Sequence, residues 1–542
     1  MRVAPGLAIS MDEPSSVAVR ARRWRGVFLG LFVLACACKV VIAATLSPFG
    51  DEAFYWQESL RPAWGYSDLP PLTAWLIGAS EAVFGHGLLA MRLPFLVLGA
   101  LVPWQVASLA WRGGDAAAGW QAATFALLLP LVGSLGVLAL PDVPLTFAIL
   151  LATQGLVLAL ETNRSRHWLL LGAGLAMAWA THYRAAMAML AGLVFLAAMP
   201  RGRTAWRRPG LWLAMLVAAA GLLPIVIYNM GAHGAGVAFQ LVERNPWQFH
   251  VDAVVQPLEQ AVACTPLMYA LLLWALWKAW RQRGTAPLDV LCALAGTFVV
   301  AYFVLGLFAD DLRFRAHWPL PAYILLCAAL PGLLASSSTR MQRFATIAMG
   351  VAGLGLAVGF AYLGLAASPR GAVALASAKA FPANFVGWRE ASAALPPRPG
   401  SMLLVADNFM LAAELRFAIG PAATVYSLDS PLNVKHGRAP QLHAWRLDEA
   451  ALREHAGAPV LLAVDETALR DREARDWLGT VCARVDIIRP LARVDAFAGR
   501  RRFAFYEARA KASTGAPGNP DDCIVWMRAY RASGQGDTRG AQ

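Results

Sequence analysis

Two adjacent carboxylates, Asp51 and Glu52, stand just beyond the first long apolar run, and a third, Asp68, follows in the same segment, SPFGDEAFYWQESLRPAWGYSDLPPL. Phe54, Tyr55, Trp56, Trp64 and Tyr66 are interleaved with them. Aromatic residues at an apolar boundary suit a membrane–water belt. Paired acids fit that reading less well, because a carboxylate in a low-dielectric setting costs free energy unless it is paired or used. A carboxylate so placed can take a proton from a hydroxyl nucleophile or hold a divalent cation. Either role suits a substrate whose reactive end protrudes from a bilayer.

Other charged residues recur at comparable boundaries. Asp142 opens an apolar run as PDVPL, a pattern that also suits a helix N-cap. Arg184 lies in THYRAAMAM beside His182 and Tyr183, and Arg313, Arg315 and His317 lie in DDLRFRAHWP. A guanidinium binds phosphate through a planar fork. The competing reading is an ion pair, of Arg184 with one of the nearby acids and of the second cluster with Asp310 and Asp311. The stretch 230–258, with His233, Glu243, Arg244 and His250, reads as a gate or an acceptor surface.

These residues need a membrane frame to hold them. Of 542 residues, 58% are hydrophobic and 15% charged, whereas a soluble domain carries about 25% charged residues. A soluble globular protein is excluded. A span needs roughly 20 apolar residues. Eleven runs approach that length: 26–46, 87–111, 116–138, 143–162, 166–182, 185–200, 209–229, 259–279, 287–308, 317–335 and 344–366. The first is longer than a signal-peptide core and reads as an uncleaved span. Segment 72–84 is apolar but short and reads as a helix lying in the interface.

The net charge of +13 could suggest nucleic acid, but its placement argues otherwise. Residues 1–366 hold 24 Lys and Arg against 16 Asp and Glu; residues 367–542 hold 23 against 18. In the membrane part the basic clusters at 20–25, 112, 164–166, 201–208, 278–283 and 340–343 fall on one side of an eleven-span chain. The positive-inside rule makes that side cytoplasmic. Eleven of the sixteen acids fall on the other side, which the rule does not require.

After Ser368 the chain becomes water-soluble in character. Strands are expected at 401–408, 459–465 and 502–507, and helices at 409–419, 447–455 and 467–478, which makes a small α/β domain. The chain therefore divides into a cytoplasmic segment 1–25, a transmembrane domain 26–368 with an outer loop 47–86, an extracytoplasmic α/β domain 369–515, and a disordered tail 516–542. Five cysteines lie in spans as small buried hydrophobes. Cys482 and Cys523 lie in the extracytoplasmic part, where a disulfide between them is one open option.

At these motifs the chain resembles bacterial membrane glycosyltransferases of the GT-C superfamily, in the branch related to protein O-mannosyltransferases and to the aminoarabinose lipid A transferase. The family's acidic pair at the start of the first periplasmic loop is matched by Asp51-Glu52. Its Tyr-x-Asp-x-Pro-Pro-Leu segment is matched by Tyr66 to Leu72, its Arg-Leu-Pro by Arg92-Leu93-Pro94, its Pro-Asp-x-Pro-Leu by Pro141 to Leu145, and its His-Trp-Pro by His317-Trp318-Pro319. The matches run in order through residues 26–335. One departure is visible. Members often carry His or Lys where this chain has Leu69, so a basic contact to a phosphate is missing or supplied elsewhere.

The resemblance implies a polytopic α-helical GT-C fold in the bacterial inner membrane, with a multi-pass chain, a cytoplasmic N-terminus and a periplasmic C-terminal domain. It implies transfer of a sugar from a polyprenyl-phosphate carrier to a lipid, glycan or protein acceptor, with inversion at the anomeric carbon. Asp51 is then the candidate base or acceptor-positioning group, with Glu52 beside it. Tyr66, Asp68, Asp142, His182, Arg184, Arg313, Arg315 and His317 are the candidate substrate-binding groups. No cofactor is required; a divalent cation held by Asp68 and Glu52 stays open. Membrane lipids are partners and nucleic acid is not. A transporter or flippase for a lipid-linked substrate is the alternative, but it predicts charges near mid-membrane rather than acids gathered at one face.

Overall fold

The computed structural model describes residues 16–232, 234–243, 247–308, 317–397, 399–467 and 479–512. Arg313, Arg315, His233, Arg244, Asp310, Asp311, Cys523 and the tail 516–542 lie outside them, as does most of the helix expected at 467–478. Cys482 takes part in a disulfide.

The first helix, α1 (Ser16–Thr45), starts at Ser16 rather than at 26. No proline or glycine separates Ser16 from Arg25, so the basic flank propagates the helix. A short helix α2 (Gly50–Ser59) follows, then α3 (Leu72–Phe84), α4 (Leu88–Trp111) and α5 (Ala116–Leu128). The segment 72–84 is helical, as α3.

Among the described residues six helices are long and apolar enough to cross a membrane, or seven if Ala253–Cys264 and Pro266–Arg281, bent by 112°, form one span. The eleven-run count is not reproduced as eleven full-length spans. The other runs form shorter helices: α5, Ser165–Thr181, Ala185–Ala198 and Leu320–Ala335. The interruptions have local causes. Pro130 disfavours helical backbone at Leu129, which is extended at φ −63° and ψ 118°. The run 116–138 therefore breaks there, and residues 136–141 cross the site as non-helical chain. Thr265, at φ 68° before Pro266, makes the 112° bend.

The C-terminal part holds a five-stranded sheet in the order β2-β1-β3-β5-β4. Its strands are β1 (Leu403–Ala406), β2 (Val425–Ser427), β3 (Pro459–Asp465), β4 (Val485–Ala496) and β5 (Arg501–Ala510). β1 pairs in parallel with β2 and β3, while β5 runs antiparallel to β3 and β4. β1, β3, β5 and the helix Phe409–Ile419 match the expected elements; β2 and β4 do not appear in the sequence reading. The helix expected at 447–455 is shortened to Glu449–Arg453.

The sheet part packs directly on the first loop. Phe54 of α2 meets Phe409 edge-on at 5.5 Å and Trp445 at 5.5 Å. Ser67 hydrogen-bonds Gln441 and the carbonyl of Gly437. The same loop thus faces the bundle on one side and the C-terminal part on the other.

Candidate active site

Asp51 and Glu52 follow each other in the first turn of α2 and point to different surroundings. Glu52 forms a two-pronged ion pair with Arg92 of α4, at 2.7 and 2.6 Å. Its oxygens also accept from the backbone N–H of Phe49 and of Ala139. Arg92 donates its remaining hydrogens to the carbonyls of Ala43, Leu46 and Ser47. Both side chains have no solvent exposure. Glu52 is absent from the wall of the cavity described next; it ties α2, α1, α4 and the broken chain near Ala139 together.

Asp51 opens instead onto a cavity of about 360 Å³. Asp68, Asp142, His182, Arg184 and His317 share its wall, so six of the sequence-derived candidates converge there. Tyr66 does not. It is fully buried and its hydroxyl donates to the carbonyl of Glu58, which fixes the loop that carries Asp68.

The acidic half of the cavity is organised by a residue the sequence reading missed, Arg438. One guanidinium nitrogen donates to Asp51 at 3.1 Å. The other lies 2.5 Å from Asp68 and 3.5 Å from Glu58. The group stacks over Phe54, Tyr55 and Phe409 at 4.4, 5.0 and 5.6 Å and is 2% exposed. His436 approaches Asp51 at 3.7 Å. Burial opposes ionisation of Asp51, but the nearby His436 and the charge of Arg438 outweigh it, so its carboxyl is held well below the ordinary carboxylate range.

Gly437 makes this reach possible. The helix Pro431–Lys435 ends with Gly437 at φ 70°, and the N–H of Arg438 closes back on Asn433 at 2.7 Å. A Cβ on Gly437 would stand 2.5 Å from the ring of Phe239. Lys435 also lines the cavity, is exposed, and has no ion-pair partner among the described residues. The only sequence signal was the run Lys435-His436-Gly437-Arg438, basic residues around a glycine after a helix.

The other half is built at the ends of apolar helices. Asp142 is the first residue of the helix Asp142–Thr162, not its N-cap, and makes no capping hydrogen bond. The expected N-cap role is corrected: the carboxylate turns to Arg184 at 2.5 Å and His317 at 3.3 Å. Arg184 also lies over Trp318 at 5.5 Å, and its N–H donates to His182. The ion pair expected for Arg184 is present, and Arg184 still lines the cavity. Among the described residues no three His, Cys, Asp or Glu side chains form a group that could hold a metal, and both oxygens of Glu52 are already engaged by Arg92.

Comparison with known proteins agrees with this architecture. The family model described as dolichyl-phosphate-mannose-protein mannosyltransferase matches residues 68–228. The lipid A galacturonosyltransferase RgtD of Rhizobium johnstonii is 25% identical over 388 residues, covering 69% of this chain and 78% of its own. The undecaprenyl phosphate-alpha-4-amino-4-deoxy-L-arabinose arabinosyl transferase of Pseudomonas aeruginosa is 29% identical over 332 residues, covering 56% of this chain and 55% of its own. The fold is similar to ArnT from Cupriavidus metallidurans in its apo state, with a TM-score of 0.63 at 16% identity, over 92% of this chain and 99% of that one. The same protein bound to undecaprenyl phosphate gives 0.61 at 15% identity, over 92% and 100%. Motifs, fold and relatives agree with one another: the chain is similar to membrane glycosyltransferases related to protein O-mannosyltransferases and the aminoarabinose lipid A transferase.

Proposed function

We propose that this multi-pass membrane enzyme moves a sugar from a polyprenyl-phosphate carrier onto lipid A, on the extracytoplasmic face of the bacterial inner membrane. In this reading residues 26–368 form the catalytic membrane domain and 369–515 lie outside the cytoplasm. The carrying observation is the cavity itself. An ionised carboxylate, Asp51, faces a space also lined by Arg184, His182, His317 and Lys435, so a base and basic groups share one reaction volume. Similarity to a lipid A galacturonosyltransferase favours lipid A over a protein or glycan acceptor.

The chemistry follows from that arrangement. Asp51 accepts a hydrogen bond from the acceptor hydroxyl and orients it on the anomeric carbon. The new C–O bond forms as the bond to the carrier phosphate breaks, which inverts the centre, and the hydroxyl proton passes to Asp51. The phosphate leaves with the bonding electrons, and Arg184, Lys435 and the two histidines stabilise its charge. The cavity adjoins the ends of apolar helices, so the lipid part of the donor stays in the bilayer.

The test uses the full-length enzyme in nanodiscs with a polyprenyl-phosphate sugar and lipid A, read by mass spectrometry. Asp51→Asn lowers transfer by about 10²–10⁴-fold while the protein still folds. Wild-type-like transfer by this variant overturns the role of Asp51. A wild-type enzyme that modifies a protein or glycan but never lipid A overturns the acceptor.

A further inference from the structure

Glu58 lies behind the cavity on the last turn of α2 and is absent from its wall, yet it is 1% exposed and carries a carboxyl group. Its carboxyl and that of Asp68 converge on the same guanidinium nitrogen of Arg438, at 3.5 and 2.5 Å, which sets the two side by side. Glu58 Oε1 and Asp68 Oδ1 are both buried, and neither has a hydrogen-bond donor among the described residues. Two carboxylates cannot hydrogen-bond each other without a proton between them, because an ionised carboxylate only accepts. One guanidinium nitrogen of Arg438 faces both, and a single cation does not neutralise two buried anions.

We propose that Glu58 and Asp68 share one proton in the resting enzyme, and that Glu58 is a positioning residue that fixes the charge on Asp68 and, through Arg438, the orientation of Asp51. With one proton the pair carries a single negative charge, and Arg438 can serve Asp51 and Asp68 at once. Loss of that proton puts a second charge beside Arg438 and draws it away from Asp51. The direction of the proton affinities agrees. Burial, then the charge of Asp68, pushes Glu58 well above the ordinary range; burial raises Asp68 against the pull of Arg438. The groups facing the pair are Arg438 from the C-terminal part, Asp51 and Tyr55 from α2, Tyr66 from the loop, and Tyr183 and Tyr228 beyond it, while His436 approaches Asp51 at 3.7 Å. They add no second cation beside Glu58 or Asp68. Such a pair titrates as a unit.

Only the consequence for turnover rests on the proposed transferase reading. Infrared difference spectroscopy of the full-length enzyme reads the proton directly, since a protonated carboxyl shows a carbonyl band that a carboxylate lacks. Wild type should show such a band at neutral pH that titrates away on the alkaline side. Glu58→Gln should remove it, Asp68→Asn should shift its frequency and its titration, and Asp51→Asn should keep it. In turnover, kcat of the wild type falls as pH rises through this titration. Glu58→Gln keeps a hydrogen-bond donor but cannot ionise, so its alkaline limb disappears or moves up by about one pH unit or more, with KM little changed. Glu58→Ala, which supplies no donor, loses transfer at every pH while folding is checked by thermal melting. A wild type with no protonated carboxyl band at neutral pH overturns the proposal. So does a Glu58→Gln profile that superimposes on wild type. If the band behaves as stated and no sugar is transferred to any acceptor, the pair stands and the transferase reading falls.

Discussion

Asp51 and Glu52 are neighbours on one helix, and each meets an arginine, yet the two pairs do different work. Glu52 and Arg92 are fully enclosed, every strong donor and acceptor is matched, and nothing of the pair reaches the cavity. Asp51 and Arg438 are incomplete by comparison. The aspartate keeps 22% of its side chain accessible, and its arginine is shared with Asp68 and Glu58. The partners also differ in origin. Arg92 belongs to the membrane bundle, whereas Arg438 reaches in from the C-terminal part. A closed pair makes a hinge point of the fold; an open pair next to space makes a reactive carboxylate. Helix geometry separates them, because consecutive residues on a helix face about 100° apart.

The largest effect should come from breaking the closed pair. Arg92→Met leaves Glu52 charged and buried without its guanidinium, which costs about 3–5 kcal/mol. Purified in detergent, this variant should melt far below wild type or fail to accumulate. The double variant Glu52→Met/Arg92→Met removes both charges and should recover most of that loss. Asp51→Asn provides the contrast, since Arg438 retains Asp68 and Glu58 and the melting temperature should move little. A melting temperature for Asp51→Asn as low as that of Arg92→Met would erase the distinction between the two pairs.

That distinction was only half legible in the sequence. The acid pair, Asp68, Asp142 and Arg184 announce themselves because charges at the edge of apolar runs are rare. Which member of the acid pair faces substrate is decided by partners 40 and 387 positions away, and no local pattern carries that information. Arg438 sits in an ordinary basic run and gains meaning only when Gly437 turns it onto α2. The C-terminal fold shows the same divide. The helix Phe409–Ile419 was readable because Asn408 caps it, accepting from the N–H groups of Met410 and Leu411, and Gly420 ends it. β4 was not, because it is an edge strand with Pro490, several charges and two register shifts against β5, which blur the alternation a strand should show.

Arg438→Gln sharpens the comparison at intermediate cost. In the wild type the Asp51 carboxyl is held low, so it stays ionised at all pH values where the enzyme is assayed. Interactions that favour the ionised form stabilise the fold above the unfolded value of about 4. That contribution is lost only as pH falls through the depressed folded value. Without Arg438 the carboxyl is still buried and its main opposing charge is gone, so it titrates higher. The pH profile of kcat should gain an acid limb, with activity falling as pH drops through the raised value. Glu52→Gln should not produce that limb, because Glu52 does not face the reaction volume. The same new acid limb in both variants would mean that the two carboxylates act as one site.

The smallest effect isolates the turn that delivers Arg438. Gly437 and Gly85 both have positive φ, at 70° and 80°, and Gly85 has ψ 174°. An added Cβ costs each about 1–3 kcal/mol through backbone conformation alone. Their surroundings differ, since a Cβ meets the Phe239 ring at Gly437 and open space at Gly85. Gly85→Ala should therefore lower the melting temperature by a few degrees and leave the pH profile of transfer unchanged. Gly437→Ala should lower it somewhat more and also shift the acid limb in the direction of Arg438→Gln, by a smaller amount, because the displaced turn loosens the guanidinium from Asp51. If both glycine variants melt lower but neither moves the pH profile, the turn is a matter of stability alone, and the hold of Arg438 on Asp51 does not depend on its approach.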